Sequence, residues 1–539
     1  MSFKRWLLCP LAALCLSSLS FGAEAQKNDA EAAMKRATRF MVEKVSYRGG
    51  YLWNYLPDMS RRWGEMEARA TMIWLQPPGT SSMGHEFLDA YHATGDEYYY
   101  QAAEQVGAAL MWGQHPSGGW NYVVDFAGDR SLRDWYDTVG RNAWRLEEFQ
   151  HYYGNATFDD QVSTDAATFL LRLYTEKLDP KFKPAVDRAI QFVLDSQYPI
   201  GAWPQRFPLN HEFSKHGLAD YSSYYTYNDD VVWENISFLI ECYQVLGERR
   251  LLDPIMRGMN FFLVSQQGAP NPGWALQYTT DLKPAAARTY EPLALATHTT
   301  AANISHLITF YDLTGDTRFL ARVPEAIDWL ERVKLPKPDA NGRTHPTFIE
   351  LGTNRPLYVH RRGSNVVNGE YYVDYDPKKP IGHYGSTRRL DTAELRKRYD
   401  AALKADVKAL AKASPLAPGA GLVELPRYFA ERYAPPADKD IEGQVRGSLA
   451  ALNEAGYWPA PLPQNSHPYR GPGSKTVPAG DFSGTHVGDD TDTSPWNDTT
   501  GTMVISTQEY LRNMNILIRS VAKEGKRYVQ EDATSGEQH

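Results

Sequence analysis

A recurring tyrosine motif constrains the fold of this chain more than any other feature of its sequence. Copies that end in glycine start at Tyr91, Tyr243 and Tyr311, and a copy without the glycine starts at Tyr174. Each copy ends one apolar helical pattern and precedes the next. Glycine suits this position because it adopts the left-handed conformation that often ends a helix. The repeat therefore predicts consecutive helices joined by tight turns.

A second motif follows each of the tyrosines Tyr91, Tyr174 and Tyr243 at a nearly constant distance. It consists of a glutamine, a turn rich in glycine and proline, and a tryptophan, and its copies end at Trp120, Trp203 and Trp274. The tyrosine-to-tryptophan offsets are 29, 29 and 31 residues. Helical hairpins repeated in this way bury their apolar faces by stacking side by side. The sequence predicts a mainly all-α fold, an α/α toroid built from repeated helical hairpins, with an open α-solenoid as the alternative.

The two ends of the chain depart from the repeat. Residues 1–25 have the charged start, short apolar stretch and small residues of a signal peptide, which predicts a secreted or periplasmic protein. Residues 26–395 form the predicted catalytic toroid, and the alternation from Tyr358 to Val373 indicates short β-strands in its later part. Residues 396–539 are expected to form a C-terminal extension with helices and long loops, either as an appendage or as the closing element of the ring.

Composition limits the partners of this protein. The net charge of −8 argues against a nucleic acid partner. No stretch after the leader is apolar enough to span a membrane. Aromatic residues make up 12% of the chain, which suits either the apolar faces of sugar rings or a large aromatic core. Only Cys242 remains after the leader, so the mature chain has no intrachain disulfide, and we expect a monomer.

Polar residues gather in the loops that precede equivalent helices. These loops are Ser163-Thr164-Asp165, Asn228-Asp229-Asp230 and a segment with Arg288 and Glu291. Considered singly, the acidic loops fit helix capping and the helix dipole, and the arginine fits a surface salt bridge. Equivalent loops of a stacked repeat lie on one rim, however, so the three together predict a common cleft.

Further motifs lie between about residues 160 and 390: Asp195-Ser-Gln-Tyr-Pro-Ile-Gly-Ala-Trp203-Pro-Gln-Arg-Phe-Pro208, Tyr225-Thr-Tyr-Asn228-Asp-Asp230, Lys283-Pro-Ala-Ala-Ala-Arg288-Thr-Tyr-Glu-Pro292, Leu351-Gly-Thr-Asn-Arg-Pro356 and His360-Arg361-Arg362-Gly363. Together they resemble the family 10 polysaccharide lyases, the pectate lyases. The resemblance implies an α/α toroid, pectate lyase activity and dependence on Ca2+. Ala166 replaces an asparagine of the family pattern, and Tyr384 lies in a reduced form of a Tyr-Trp-Tyr motif, which leaves the identity of the uronate open.

The resemblance also implies roles for individual residues by their matching positions. Asp165 and the pair Asp229 and Asp230 match the calcium-binding acids of the family. Arg288 matches the catalytic arginine, and Arg361 matches an arginine that binds a substrate carboxylate. The candidate substrate-binding residues are Arg361, Arg206, Trp203, Tyr227 and Asn228.

The implied chemistry explains these residue types. β-Elimination removes the C5 proton of a uronate and expels the oxygen at C4, so the substrate carboxylate must be neutralised. Calcium prefers carboxylate oxygens and can provide that neutralisation. Arginine normally stays protonated, which makes it an unusual base, and the alternative bases are Tyr227, Tyr290 and His298.

The sequence leaves three other functions open. One is a lyase that acts on another uronate polysaccharide, such as ulvan or a glucuronan-like polymer, instead of pectate or polygalacturonate. Another is an α/α-toroid glycoside hydrolase, in which Glu234, Asp229 and Glu291 could supply a pair of acids. The last is a non-catalytic glycan-binding protein that uses its aromatic strips as stacking platforms. All of them take a polysaccharide as the partner.

Overall fold

The structure is a computed structural model, and it describes residues 27–142, 147–209, 220–362, 370–378, 380, 384–417, 420–426, 428–429, 440–463 and 501–522. The predicted signal peptide lies outside these ranges. Across the described ranges, no helix combines the length and the apolar character needed to cross a membrane.

Helices form most of the described chain, as the repeat predicts. The first, α1, covers residues 27–40. The others are α2 (Thr80–Thr94), α3 (Glu97–Gly113), α4 (Asp129–Thr138), α5 (Val162–Lys177), α6 (Lys183–Ser196), α7 (Val231–Leu246), α8 (Leu252–Ser265), α9 (Thr297–Thr314), α10 (Val323–Arg332), α11 (Thr392–Ala402), α12 (Val407–Ala413), α13 (Ile441–Ala451) and α14 (Thr507–Val521).

Short strands line the loops between the helices. They are β1 (Asn54–Tyr55), β2 (Arg62–Trp63), β3 (Met72–Trp74), β4 (Val123–Asp125), β5 (Ala156–Thr157), β6 (Arg206–Phe207), β7 (Tyr225–Thr226), β8 (Gln277–Tyr278), β9 (Pro284–Ala285), β10 (Leu295–Ala296), β11 (His345–Pro346), β12 (Phe348–Ile349), β13 (Pro356–Arg362), β14 (Glu370–Asp374), β15 (Thr387–Arg388), β16 (Pro459–Pro461) and β17 (Met503–Ser506). The predicted later strands are β13 and β14, which pair antiparallel with Val359 opposite Val373.

The helices form the predicted hairpins of an α/α toroid. Helices α2, α5, α7 and α9 form an inner layer, and each is followed by an outer helix, namely α3, α6, α8 and α10. Three inner helices are directly followed by Gly95, Gly247 and Gly315, whose φ angles of 76°, 69° and 70° are left-handed. At the copy without glycine, Leu178 adopts the same conformation at φ 53°. The tyrosine motif thus marks the turn from an inner to an outer helix.

The tryptophans of the second motif occupy equivalent positions in the core. The indole N–H groups of Trp120, Trp203 and Trp274 donate to backbone carbonyls of the preceding outer helices, at 2.9, 2.8 and 3.2 Å. Trp458 makes the same bond, at 2.8 Å, to the carbonyl of Ser448 in α13. The described C-terminal part of the chain therefore repeats this tryptophan contact.

The described part of the C-terminal segment packs within the helical layers. Helix α14 packs against α2, where Tyr510 meets the edge of Phe87 at 6.3 Å, and β17 pairs with β1. The sequence predicts residues 396–539 as an extension, and their described helix α14 acts as a closing element beside the first inner helix. A sequence-distant pairing of this kind leaves no local signal.

A glycine in the turn after α6 allows close packing between units. Gly201, at φ 110°, lies so close to α8 that a Cβ atom there would be 2.1 Å from the carbonyl oxygen of Arg257. We expect Gly201→Ala to lower the free energy of unfolding by more than the ~1–3 kcal/mol of backbone strain, because the clash is added to it. Urea denaturation measures this change. Gly268→Ala is the control, because a Cβ atom added at Gly268 would have no atom within 4 Å. Equal stability of the two variants would contradict the prediction.

Candidate active site

Two equivalent loops at one end of the ring carry the acidic residues of the site. Each follows a two-residue strand and precedes an inner helix, and they contain Asp159-Asp160 before α5 and Asn228-Asp229 before α7. Both loops use left-handed residues, with φ 48° at Asp160 and 52° at Asp229. A non-glycine residue costs ~1–3 kcal/mol in this conformation, and such strain concentrates at functional sites. The loops therefore form a repeated feature that presents carboxylates to the same region.

Arg288 lies at the centre of this region and is buried. Its Nη1 is 3.3 Å from Glu148 and 3.4 Å from Asp159, and its Nη2 is 3.1 Å from Glu291 and 3.7 Å from Asp229. The backbone N–H of Arg288 also donates to Glu291 at 2.8 Å. One guanidinium thus contacts carboxylates from four separate segments of the chain.

Tyr384 closes one side of the arginine. Its hydroxyl donates to Glu291 at 2.7 Å and accepts from Nη2 of Arg288 at 2.9 Å. The side-chain amide of Asn228 donates to the same hydroxyl at 3.2 Å. These bonds connect the loop before α7 to the late segment of the chain, and they fix the orientation of the guanidinium.

The N-terminal part of the chain completes the cluster. The amide nitrogen of Gln76 donates to Asp160 at 2.8 Å and to Glu65 at 3.1 Å. Asp159 in turn accepts a hydrogen bond from Gln205 at 2.6 Å and another from the hydroxyl of Tyr122. The site therefore draws on residues from 65 to 384.

The carboxylates outnumber the cation that they surround, and their pKa values reflect this. Burial and the neighbouring Asp159 raise the pKa values of Asp160 and Asp229 well above the usual range. Burial also raises the pKa of Glu148 to about 7, and burial together with Glu148 raises the pKa of Glu65 to about 8. The site holds more negative charge than it can stabilise without protons or an additional cation.

The pKa values of Asp159 and Arg288 shift in the directions that favour the charged forms of these side chains. Burial alone would raise the pKa of Asp159, but Arg288 and the hydrogen bonds at this carboxylate outweigh burial and lower it. Burial alone would lower the pKa of Arg288, but Glu291 and its other neighbours raise it well above the usual value. In this arrangement the guanidinium is therefore protonated.

The raised pKa of Glu148 makes stability depend on pH. A glutamate in the unfolded chain loses its proton near pH ~4.3, whereas Glu148 keeps it until about pH 7. The resulting stabilisation is fully present at low pH and is lost as the pH rises through about 7. We expect Glu148→Gln to flatten the fall in unfolding free energy between about pH 5 and pH 7, measured by urea denaturation at several pH values. The exposed Glu442 provides the control as Glu442→Gln; an unchanged slope in the Glu148 variant would contradict the prediction.

Asp165 does not belong to the Arg288 ion pairs. It is buried in the first turn of α5, and its carboxylate is 3.6 Å from Nε2 of His85 on α2. The structure instead brings Asp159 and Asp160, which precede α5, to the position expected for Asp165. The calcium-binding role that the resemblance implies for Asp165 stays a prediction.

Two predicted substrate contacts are core residues in the structure. Trp203 is completely buried, so its indole offers no surface for stacking on a sugar. Tyr227 is also buried, and its hydroxyl shares a hydrogen bond of 2.7 Å with Ser265. These placements correct the expectation that the two side chains face a substrate, because aromatic strips in this fold fill the space between helices.

The other predicted residues lie in or near the cluster. Asn228 contacts both Asp229 and Tyr384. Arg206 is buried, and its guanidinium lies 3.4 Å from the carbonyl oxygen of Glu148 and over the ring of Tyr153 at 4.3 Å.

Asp230 and Arg361 are the remaining residues that the sequence predicts for the site. Asp230 is not among the described carboxylates that pair with Arg288; its carboxylate lies 3.6 Å from Nε2 of His306, and its side chain is 47% exposed. Arg361 belongs to β13 and pairs in register with Tyr371. Its side chain lies outside the described residues, so its predicted role stays a prediction.

The donor types of the cluster fit a hard cation such as calcium, which binds carboxylate oxygens. The excess of buried carboxylates over guanidinium also favours another positive charge. In the parts of the chain that the structure describes, however, no group of three His, Cys, Asp or Glu side chains is spaced to hold a metal ion. The oxygen donors of these residues therefore fit calcium, but in this structure the carboxylates are arranged around the guanidinium of Arg288.

Comparison with known proteins gives a family match for the segment that contains most of this cluster. Residues 132–376 match the family model described as pectic acid lyase. This match confirms the predicted resemblance over these residues and supports a polysaccharide lyase. It includes Glu148, Asp159, Asp229, Arg288 and Glu291, whereas Glu65, Gln76 and Tyr384 lie outside it.

Solved structures give more distant likenesses. An alanine mutant of the family 10 polysaccharide lyase from Cellvibrio cellulosa, in complex with trigalacturonic acid, is 18% identical, covers 55% of this chain and 89% of its own, and has a TM-score of 0.38. A family 76 glycoside hydrolase from a bovine Bacteroides thetaiotaomicron strain is 10% identical, covers 92% of this chain and 77% of its own, and has a TM-score of 0.40. No curated protein matches the chain.

Proposed function

We propose that this polysaccharide lyase cleaves a uronic-acid-containing polysaccharide, with pectate or polygalacturonate as the substrate, by calcium-assisted β-elimination at the Arg288 cluster. The observation that carries the proposal is the buried arginine held by carboxylates from four segments inside the matched region. A preorganised charge arrangement of this kind stabilises charge that develops in a transition state. The products are unsaturated oligosaccharides.

An anionic substrate requires extra positive charge at this site. The cluster repels a uronate carboxylate because its own carboxylates already exceed its cation. Calcium would supply the missing charge, neutralising the substrate carboxylate and stabilising the enediolate that forms when the C5 proton leaves. Asp159, Asp160 and Asp229 are the residues with suitable oxygen donors. Asp165 and Asp230, which the resemblance implies as ligands, belong to the same proposal and are tested below.

We assign removal of the C5 proton to Arg288. Its carboxylate partners hold the guanidinium in the protonated form, so Nη can accept the C5 proton only after those carboxylates are neutralised. Glu291 and Tyr384 fix the guanidinium from the opposite side through Nη2. Arg206 and Arg361 would bind further substrate carboxylates through charge-assisted hydrogen bonds.

Absorbance of unsaturated products tests the proposed function. Polygalacturonate, ulvan, alginate and a glycosaminoglycan are each incubated with the purified protein, with calcium and with chelator. We expect ultraviolet absorbance to rise with polygalacturonate and calcium. New reducing ends without this absorbance would indicate hydrolysis, since hydrolysis forms no double bond, and would overturn the proposal.

We also propose that the mature protein is secreted or periplasmic and acts as a monomer. The proposal rests on the signal-like residues 1–25. N-terminal sequencing of the protein recovered from the periplasm or medium should show cleavage after Ala23 or Ala25. Light scattering should give a monomer mass, and an uncleaved N-terminus or a dimer would contradict these proposals.

A further inference from the structure

One tryptophan departs from the pattern of the others. Trp112, next to the last residue of α3, is 51% exposed, whereas tryptophans of the repeated motif are completely buried. Its indole stacks on Phe126, with ring centroids 4.3 Å apart and an interplanar angle of 26°. Tryptophan combines a large apolar ring with an N–H donor, and aromatic side chains of this kind are enriched at binding interfaces. The exposed indole, stacked on the half-buried ring of Phe126, suits the apolar face of a sugar.

An arginine flanks the same phenylalanine. The guanidinium carbon of Arg48 is 5.3 Å from the centroid of the Phe126 ring, and the edge of Tyr47 is in contact at a centroid distance of 5.8 Å. Arg48 occupies the tip of a tight turn, at φ 51°, in which Tyr47 and Gly50 exchange backbone hydrogen bonds of 3.0 Å. The turn holds the arginine beside the aromatic pair before any ligand binds.

The charge of Arg48 is available for an anion. Among the described residues, no carboxylate forms an ion pair with it. Arg133 is another exposed arginine that stacks on an aromatic ring, at 4.2 Å from the centroid of Tyr152. Unlike Arg48, it forms an ion pair, with Asp129 at 2.7 Å. Arg48 therefore combines an aromatic neighbour with an unpaired positive charge.

The position of this surface relates it to the Arg288 cluster. The end of α3 and the start of α5 lie at the same end of the ring, because Trp120, seven residues after α3, donates its backbone N–H to Oγ of Ser163 in the first turn of α5 at 2.9 Å. Phe126 directly follows β4, and β4 pairs with β3, which ends two residues before Gln76. Gln76 binds Asp160 of the cluster. A polymer that occupies the cluster can therefore extend across the same end of the ring.

We propose that Trp112, Phe126 and Arg48 form an accessory binding site for an acidic polysaccharide, separate from the Arg288 cluster. The indole stacks on a pyranose ring, and Arg48 binds a uronate carboxylate through charge-assisted hydrogen bonds. The identity of the acidic sugar rests on the proposed function. The site lies outside the segment matched by the family model and increases affinity for long chains.

Affinity electrophoresis in gels that contain polygalacturonate, alginate or neutral galactan tests the site, with every variant in an Arg288→Lys background. We expect the acidic polymers to retard the parent protein, and Trp112→Ala or Arg48→Gln to weaken this binding about tenfold. Val264→Ala is the matched control, because Val264 is 54% exposed and also next to last in an outer helix, α8. Thermal denaturation, together with rescue by Trp112→Phe, separates loss of binding from loss of fold.

The outcomes separate this site from the proposed function. The accessory site would be overturned if Trp112→Ala and Val264→Ala reduced the retardation equally. It would also be overturned if the acidic polymers did not retard the parent protein. Equal loss of binding to neutral galactan would overturn its assignment to acidic sugars. Absence of lyase activity on all uronates, with acid-specific retardation that depends on Trp112, would overturn the proposed function alone. With activity present, Trp112→Ala in the otherwise unchanged enzyme should raise KM for the polymer about tenfold and leave trisaccharide turnover unchanged.

Discussion

Replacement of Arg288 by lysine is expected to reduce kcat at least ~100-fold, the lower end of the contribution of a positioned acid or base. Lysine keeps the positive charge among the carboxylates but loses the planar guanidinium that spans Glu148, Asp159 and Glu291. The atom that would accept the C5 proton is then displaced. Initial rates of product absorbance at saturating calcium measure the effect.

The lysine variant is a cleaner test than alanine. Arg288→Ala would leave Glu148, Asp159 and Glu291 buried without their cation, and breaking a buried ion pair costs ~3–5 kcal/mol. Loss of activity could then follow from loss of fold. Thermal denaturation of Arg288→Lys should show a stability close to that of the parent protein.

Arg361→Ala provides the contrasting control. If Arg361 binds a substrate carboxylate in both ground and transition states, its loss raises KM with little change in kcat. The opposite result would reassign the arginines: near-normal turnover and weakened binding in Arg288→Lys would make Arg288 a substrate clamp. Tyr290, which lies under the Arg288 guanidinium at 5.4 Å, would then become the first alternative base.

The repeated architecture could be predicted from the sequence because its signals are local. A tyrosine four residues before a glycine ends most of the inner helices, and a tryptophan at a fixed distance fills each connecting loop. Both signals recur along the chain, so their equivalence is visible without tertiary information. The same motifs explain why Trp203 is structural, since Trp120 and Trp274 make the same buried bond.

The sequence places the acidic loop before α5 several residues too late, for a physical reason. Asp160 and Gln161 adopt left-handed conformations, so the carboxylates lie at the exit of β5, and α5 begins only at Val162. Asp165 is then one turn into the helix and faces His85. The shared pattern of threonine, an aromatic residue, Asp or Asn, and Asp is present at 157–160 and 226–229, and it could have aligned the two loops.

Other members of the cluster could not be found from spacing. Glu65, Gln76 and Glu148 belong to segments without the repeat, and Tyr384 reaches Arg288 from 96 residues further along the chain. Each residue looks like an ordinary loop residue in the sequence. Their function depends on tertiary contacts between loops, which local periodicity does not encode.

Removal of calcium is expected to abolish product formation, and added calcium is expected to restore it. The carboxylates must lose their protons before they bind the ion, and the pKa values of Asp160 and Asp229 are raised. Calcium affinity should therefore increase with pH. A calcium concentration of about 100 times Kd should stabilise the fold by ~2.7 kcal/mol, measured as a shift in Tm.

A pair of isosteric variants locates the calcium-dependent carboxylates. Asp229→Asn removes a charge from the Arg288 cluster and should lose both activity and the calcium-dependent shift in Tm, because an amide binds calcium less strongly than a carboxylate. Asp165→Asn changes a buried carboxylate beside His85, so it should lower stability and keep the calcium-dependent shift. If Asp165→Asn instead lost the calcium-dependent shift and Asp229→Asn kept it, Asp165 would be the calcium ligand, as the family resemblance implies. Asp230→Asn tests the remaining acid, whose exposed side chain faces His306 and not Arg288. Full activity in chelator, with no calcium detected by elemental analysis of the protein, would show that the excess charge of the cluster is neutralised by protons or by Arg288 alone.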